Sequence, residues 1–276
     1  MATHLRKYLR LNKLPHIWCP GCGHGIILNS IVRAIDNVGL DQEKTVVVSG
    51  IGCSSRATGY LNFNTLHTTH GRAMAFATGV KLANPELNVI VLSGDGDSAA
   101  IGGNHLIHAA RRNIDITTVV FNNSIYGMTS GQYSPLTPKG DYGTTAPYGN
   151  VDQPFDLCDL MISSGATYVG RGATYHTKQL TELVTSALGH NGFSFVEGIS
   201  QCPTYYGRRN NLKTSIDMLK WQKEVTVKKK AAEKLSSEER EEKIIIGELY
   251  KDEDRPEYTA EYDRIIESVQ KEGTKG

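Results

Sequence analysis

Short apolar runs alternate along this chain with longer stretches of helical period. Residues 45–49, 88–92, 116–121, 166–170 and 193–199 are apolar runs bounded by turn-forming residues, the pattern of strands buried on both faces. Between them, residues 25–38, 71–84, 98–113, 154–164 and 177–188 are long enough for helices. Pro85 stops the second of these. Strands joined by helical crossovers lie parallel, so the order predicts an α/β fold with a doubly wound parallel sheet. Residues 127–150 carry Gly, Pro and Thr without a period. A loop that long in a compact domain is usually functional or covers a partner.

The pattern changes after about Leu212. Residues 220–243 are charged, with runs at Lys228-Lys229-Lys230 and Glu238-Glu239-Arg240-Glu241-Glu242, which reads as a solvated helix with intrachain pairs. Ile244-Ile245-Ile246, Tyr258, Tyr262 and Ile265 give this tail something apolar to bury. The division expected is a ligand-binding domain over residues 1–212 and a charged C-terminal arm over residues 213–276 that contacts another subunit. Over all 276 residues the formal net charge is +1, so no nucleic-acid or membrane-surface field is implied. No apolar stretch reaches the ~18 residues needed to span a bilayer, and nothing reads as a signal peptide. A cytoplasmic protein is expected.

Candidate chemistry sits at the strand ends. Gly94-Asp95-Gly96 follows the run at 88–92, and Asn122-Asn123 follows the run at 116–121. Both words fall at carboxyl ends of parallel strands, where open α/β sheets bind ligands. An Asp and an Asn suit a hard divalent cation. Small glycines and a following helix N-terminus suit a phosphate. The pair reads as a Mg²⁺–diphosphate site, and it resembles the Gly-Asp-Gly…Asn-Asn signature of the thiamine-diphosphate enzymes. The resemblance implies that Asp95 and Asn123 ligate Mg²⁺ through their side chains and Ile125 through its main-chain carbonyl.

There are five cysteines. Cys19 and Cys22 form a knuckle in Trp18-Cys19-Pro20-Gly21-Cys22-Gly23-His24; Cys53 lies in Gly50-Ile51-Gly52-Cys53-Ser54-Ser55, and Cys202 in Ser200-Gln201-Cys202-Pro203. An odd count argues against a secreted disulfide scaffold. Four thiolates from separate elements could close a zinc site or a [4Fe–4S] cluster, and spacing alone does not choose. Beside thiamine diphosphate a redox-inert zinc has no task, whereas a cluster gives electrons an exit. Cys158 fits a buried helix position.

Together these features resemble the β subunits of the 2-oxoacid:ferredoxin oxidoreductases, over residues 15–208 and again at Gly247-Glu248-Leu249-Tyr250. The resemblance implies one [4Fe–4S] cluster on Cys19, Cys22, Cys53 and Cys202, close to thiamine diphosphate. It further implies cofactor contacts from Ile51, Gly52, Cys53, Ser54 and His70. Gly96 and Asp97 would continue the diphosphate cradle, and Gly127 and Met128 would run past the thiazolium. Arg56, Met128 and Ser130 would shape the substrate end, with Arg56 able to pair a carboxylate. The stretch Tyr126–Pro138 looks most like the 2-oxoglutarate-acting branch. The activity implied is CoA-dependent oxidative decarboxylation of a 2-oxoacid, with electrons passed to ferredoxin or a ferredoxin-like subunit. Only one doubly wound unit fits the length, so an α subunit would complete the pocket in a hetero-oligomer. The rival readings are a non-redox thiamine-dependent decarboxylase or carboligase and a zinc-stapled scaffold.

Overall fold

The computed structural model describes residues 3–273. Its centre is an eight-stranded sheet: β1 (Thr45–Ser49), β2 (Asn64–His67), β3 (Asn88–Gly94), β4 (Thr117–Asn122), β5 (Tyr168–Ala173), β6 (Ser194–Ile199), β7 (Thr226–Lys228) and β8 (Ile244–Lys251), in the order β2-β1-β3-β4-β6-β5-β8-β7. Every pairing from β2 to β5 is parallel, and β8 runs antiparallel to β5.

The helices are α1 (His24–Val38), α2 (Ala57–Tyr60), α3 (Ala73–Ala83), α4 (Gly103–Arg112), α5 (Leu157–Ser164), α6 (Thr177–Leu188), α7 (Ser215–Val225), α8 (Lys229–Ala232), α9 (Ser237–Glu241) and α10 (Tyr258–Gly273). Alternation along each central strand feeds two cores. Ile90, Leu92, Val119, Phe121 and Val196 pack beneath α1 and α6. Val89, Val91, Val120 and Phe195 pack with the buried residues of α3, α4 and α5. This is the doubly wound sheet that the apolar runs predict. Gly39 and Gly165 end α1 and α5 in the left-handed conformation, at φ 73° and 94°, where a residue without Cβ is unstrained.

The predicted crossover helix over 98–113 is interrupted. Residues Asp97–Ile101 form a π-turn, and α4 restarts after Gly102. The 69–71 loop packs closely against this turn. A Cβ on Gly71 would lie 2.2 Å from Ile101 Cγ2, and one on Gly102 would lie 2.4 Å from the Asp97 carbonyl oxygen.

The predicted solvated helix over 220–243 is also broken up. The Thr226-Val227 pair continues as β7, and a Ser236–Glu239 capping box starts α9. Ile244-Ile245-Ile246 then enters β8, where Ile246 is buried against the rest of the fold. The edge strand β2, half exposed and only four residues long, carries no apolar run for the sequence to announce. No helix among the described residues is long and apolar enough to cross a membrane.

Candidate active site at the carboxyl ends of β1, β3 and β4

Adjacent strands β3 and β4 deliver Asp95 and Asn123 into one pocket, which Cys53, His70, Gly127 and Met128 also line. Ile51, Gly52, Ser54, Gly96, Asp97 and Ile125 complete the predicted residues found there. Thus the words read separately in the sequence converge at one place because parallel strands all end on the same side.

Asp95 is buried, at 3% exposure. Its carboxylate accepts a hydrogen bond from Ser134 Oγ at 2.6 Å and from the N–H groups of Gly96 and Ile125. Burial dominates over these donors and lifts its pKa to about 7. No basic side chain pairs with it among the described residues, so a bound cation would supply the missing counter-charge. Asn123 is also buried, and its Nδ2 lies 3.5 Å from Nε2 of His24. With its nitrogen held there, the amide oxygen is left for a cation. With the Ile125 carbonyl implied by the resemblance, the Asp95 carboxylate and the Asn123 amide oxygen would make an oxygen donor set of the kind Mg²⁺ takes.

Asp97 plays a different part with its side chain. Its carboxylate accepts from Nδ1 of His70 at 2.5 Å, the Gly71 N–H at 2.7 Å, Ser93 Oγ at 2.7 Å and the Ile51 N–H at 3.3 Å. It clamps the ends of β1 and β3 to the loop that carries His70. What remains to face a diphosphate is the backbone at Gly96 and Asp97. Gly96 itself lies under the Tyr126 ring, whose hydroxyl donates to the Gly96 carbonyl at 3.1 Å.

Three chain segments bring the cysteines together. The Gly23 N–H donates to the Gln201 carbonyl at 3.0 Å, pinning the Cys19–Cys22 knuckle to the Cys202 segment. Trp18 Nε1 donates to the Cys53 carbonyl at 2.7 Å. A Cβ on Gly127 would lie 3.4 Å from Cys53 Sγ and 3.8 Å from Cys202 Sγ. Burial, then the neighbouring thiols, pushes Cys22 up to about 12; burial followed by Cys202 and Cys19 pushes Cys53 up to about 11. Even so, among the described residues no three His, Cys, Asp or Glu side chains are gathered as a single-ion site. Cys158 stands apart, fully buried in α5.

Arg56 ends the turn Ser54–Arg56 and does not line the pocket; its Nε is buried without a hydrogen-bond partner. Ser130 lies in the following loop with φ 87°. The sequence carried no signal for His24, Ser134 or Thr137. His24 sits against Trp18 and Phe121, and burial lowers its pKa to about 4. Thr137 Oγ1 donates to the Ser124 carbonyl at 2.6 Å. Ser134 and Thr137 tie the long loop to the ends of β3 and β4.

Residues 50–198 match the family described as "Thiamine pyrophosphate enzyme, C-terminal TPP binding domain". The chain is 52% identical, over 98% of its length and 93% of the relative's, to the 2-oxoglutarate synthase subunit KorB of Methanothermobacter marburgensis. It is 50% identical to the protein of the same name from Methanocaldococcus jannaschii, over 96% of this chain and 98% of that one. A solved structure of the 2-oxoglutarate:ferredoxin oxidoreductase from Magnetococcus marinus, with 2-oxoglutarate, coenzyme A and succinyl-CoA bound, superposes with a TM-score of 0.86. The superposition is at 37% identity and covers 96% of this chain and 90% of that one. The strand-end pocket, the family match and these relatives agree: the chain belongs to the thiamine-diphosphate-binding β subunits of the 2-oxoacid:ferredoxin oxidoreductases, in the 2-oxoglutarate-acting branch.

Proposed function

We propose that this subunit binds thiamine diphosphate through Mg²⁺ held by Asp95, Asn123 and the Ile125 carbonyl, and carries a [4Fe–4S] cluster on Cys19, Cys22, Cys53 and Cys202. With its α partner it would convert 2-oxoglutarate and coenzyme A to succinyl-CoA and CO₂, the electrons leaving through the cluster to ferredoxin. The observation that carries the reading is the delivery of Asp95, Asn123 and Cys53 into one pocket by three neighbouring strands. The four thiols support a cluster over zinc. The thiols of Cys22, Cys53 and Cys202 are close enough to raise one another's pKa, and beside thiamine diphosphate a cluster, unlike zinc, gives the electrons a way out.

The chain's own residues have definite tasks in this scheme. Thiamine diphosphate supplies a carbon nucleophile and an electron sink for the bond to CO₂. Asp95 and Asn123 fix the cation that neutralises the diphosphate. Asp97 holds His70 by Nδ1, directing the rest of that ring at the pocket. Met128 and Ile51 give the pocket apolar wall surface. Cys53 stands both in the pocket wall and among the thiols, which sets the first electron acceptor against the cofactor. Arg56, outside the pocket lining and with its Nε buried, takes no substrate role in this scheme. No glutamate lines the pocket among the described residues, and the α subunit would supply the groups that complete it. We assign residues 1–212 to these tasks; of residues 213–276, β8 completes the sheet and the exposed face of α10 is left for subunit contact.

The test uses the anaerobically purified complex with its α partner. Asp95→Ala and Asn123→Ala should abolish Mg²⁺-dependent thiamine diphosphate binding in calorimetry while iron and sulfide stay at wild-type content. Cys53→Ala should lower iron content. Normal cofactor affinity in the first two variants would overturn the cation assignment, and zinc in a colourless wild-type protein would overturn the cluster.

A further inference from the structure

Asn122, the first residue of the Asn-Asn word, has no place in the scheme above, and neither does the charged pair buried behind it. Arg171 and Glu197 are register partners on the neighbouring strands β5 and β6. Both are buried, at 8% and 3% exposure. Arg171 Nε donates to Glu197 Oε2 at 2.6 Å. Glu197 is also register partner to Val120 on β4. Side chains two apart on a strand share a face, so Asn122 lies one step further along the face that bears Glu197. There Asn122 Nδ2 donates to Glu197 Oε1 at 2.7 Å.

The other end of the Asn122 amide is committed too. Its Oδ1 accepts the Ser124 N–H at 3.0 Å, and Ser124 holds a left-handed φ of 57°. A non-glycine residue persists in that conformation only where its surroundings impose it. The turn imposed here is the one that carries Asn123 and the Ile125 carbonyl. A buried ion pair is weak evidence for stability, since apolar residues of similar volume often serve as well. Arg171 also pairs with Asp156, which caps α5, and Cys158 Sγ faces Glu197 Oε2; of the pair's contacts, the hydrogen bond to Asn122 is the one that reaches the turn.

We infer that the buried Arg171–Glu197 pair, acting through Asn122, positions the turn that presents Asn123 and the Ile125 carbonyl to the cation. These are positioning residues and touch no ligand themselves. Arg171 fixes the Glu197 carboxylate, Glu197 fixes the Asn122 amide, and the amide fixes the backbone at Ser124. The inference rests on the cation assignment proposed above.

Two variants test it in the assembled anaerobic complex, with Mg²⁺ titrated at saturating thiamine diphosphate and binding followed by protein fluorescence. Arg171→Met with Glu197→Leu replaces the pair by apolar bulk and leaves Asn122 Nδ2 without its acceptor. Asn122→Ala removes the link directly from a half-buried position. Both should weaken Mg²⁺ about tenfold or more with little change in melting temperature, and excess Mg²⁺ should restore turnover. A merely structural role would lower the melting temperature and would not respond to Mg²⁺. Wild-type Mg²⁺ affinity in Asn122→Ala overturns the inference, whether or not the double variant assembles. Asn123→Ala, run in parallel, separates the two ideas. Its loss of binding beside an unaffected Asn122→Ala would sink only the positioning role, while its normal binding would remove the cation site itself.

Discussion

Asp97 meets Gly50 so closely that a Cβ on the glycine would fall 2.1 Å from Asp97 Oδ2 and 2.5 Å from Oδ1. No flexible end can yield there, because the same carboxylate is fixed by His70, Gly71, Ser93 and Ile51. Gly50→Ala should therefore destabilise the protein by about 1–3 kcal/mol, the usual cost of overpacking, and weaken cofactor binding by displacing His70. Denaturant unfolding beside calorimetry checks this, and wild-type stability would refute the clamp. At the same scale, Ser134→Ala removes the hydroxyl donor to Asp95 Oδ2. The carboxylate would keep its position less well, and Mg²⁺ affinity should fall about tenfold in the same titration. Asp95 and Asn123 were legible because their residue types and strand-end placement state a chemistry. Ser134, Thr137 and His24 were not, since a serine or threonine in a loop, or a histidine at the start of a helix, carries no signal until a fold puts it beside a carboxylate or an amide.

Elements show where local pattern was sufficient and where packing intervened. The five apolar runs became β1, β3, β4, β5 and β6 because strands buried on both faces need nothing beyond continuous apolar character. The π-turn at Asp97–Ile101 could not be read from local pattern; it packs against the loop at Gly71, which lies outside its own sequence. The tail is anchored by an element junction of similar kind. Glu257, buried before α10, accepts the N–H groups of Thr259 at 2.8 Å, Ala260 at 3.0 Å and Asp115 at 3.1 Å, besides the Thr259 hydroxyl. Burial opposes its ionisation, but these donors prevail and hold its pKa below the ordinary 4.5. A depressed carboxylate contributes stability above its unfolded pKa and loses it as pH falls through the folded value. Glu257→Gln should thus cost about 1–2 kcal/mol at neutral pH, and the gap should close as both proteins are acidified below pH 4.5. Urea unfolding at several pH values would show it, and a gap independent of pH would refute it.

For the whole molecule, in the proposed reading, the α subunit completes the pocket. Its mouth exposes apolar side chains, with Ile51 at 44% and Met128 at 46% exposure. Exposed apolar surface beside a ligand pocket marks an interaction site, and the family is one of multi-subunit enzymes. Hydrogen exchange at the amides of residues 51–53 and 127–129 should slow when the α subunit binds. Unchanged exchange there would move the interface elsewhere. The tail contributes at this scale as well. β8 joins the sheet antiparallel to β5, while α10 leaves Tyr262, Ile265 and Val269 exposed.

The sequence by itself determined the class of fold and the candidate cation ligands, while the resemblance of its motifs to the thiamine-diphosphate enzymes named the cofactor. Each of these depends on short-range facts: an apolar run, a residue type, a position just after a strand. The tertiary structure decided how those ligands are held. The Asp97 clamp, the His24–Asn123 contact, the Ser134–Asp95 bond and the Arg171–Glu197–Asn122 chain all join residues from separate elements. Their sequence separations run from 26 to 99 residues for the first three. No local pattern encodes such partners, because a hydrogen bond between distant residues exists only once strand order and register have brought them within reach.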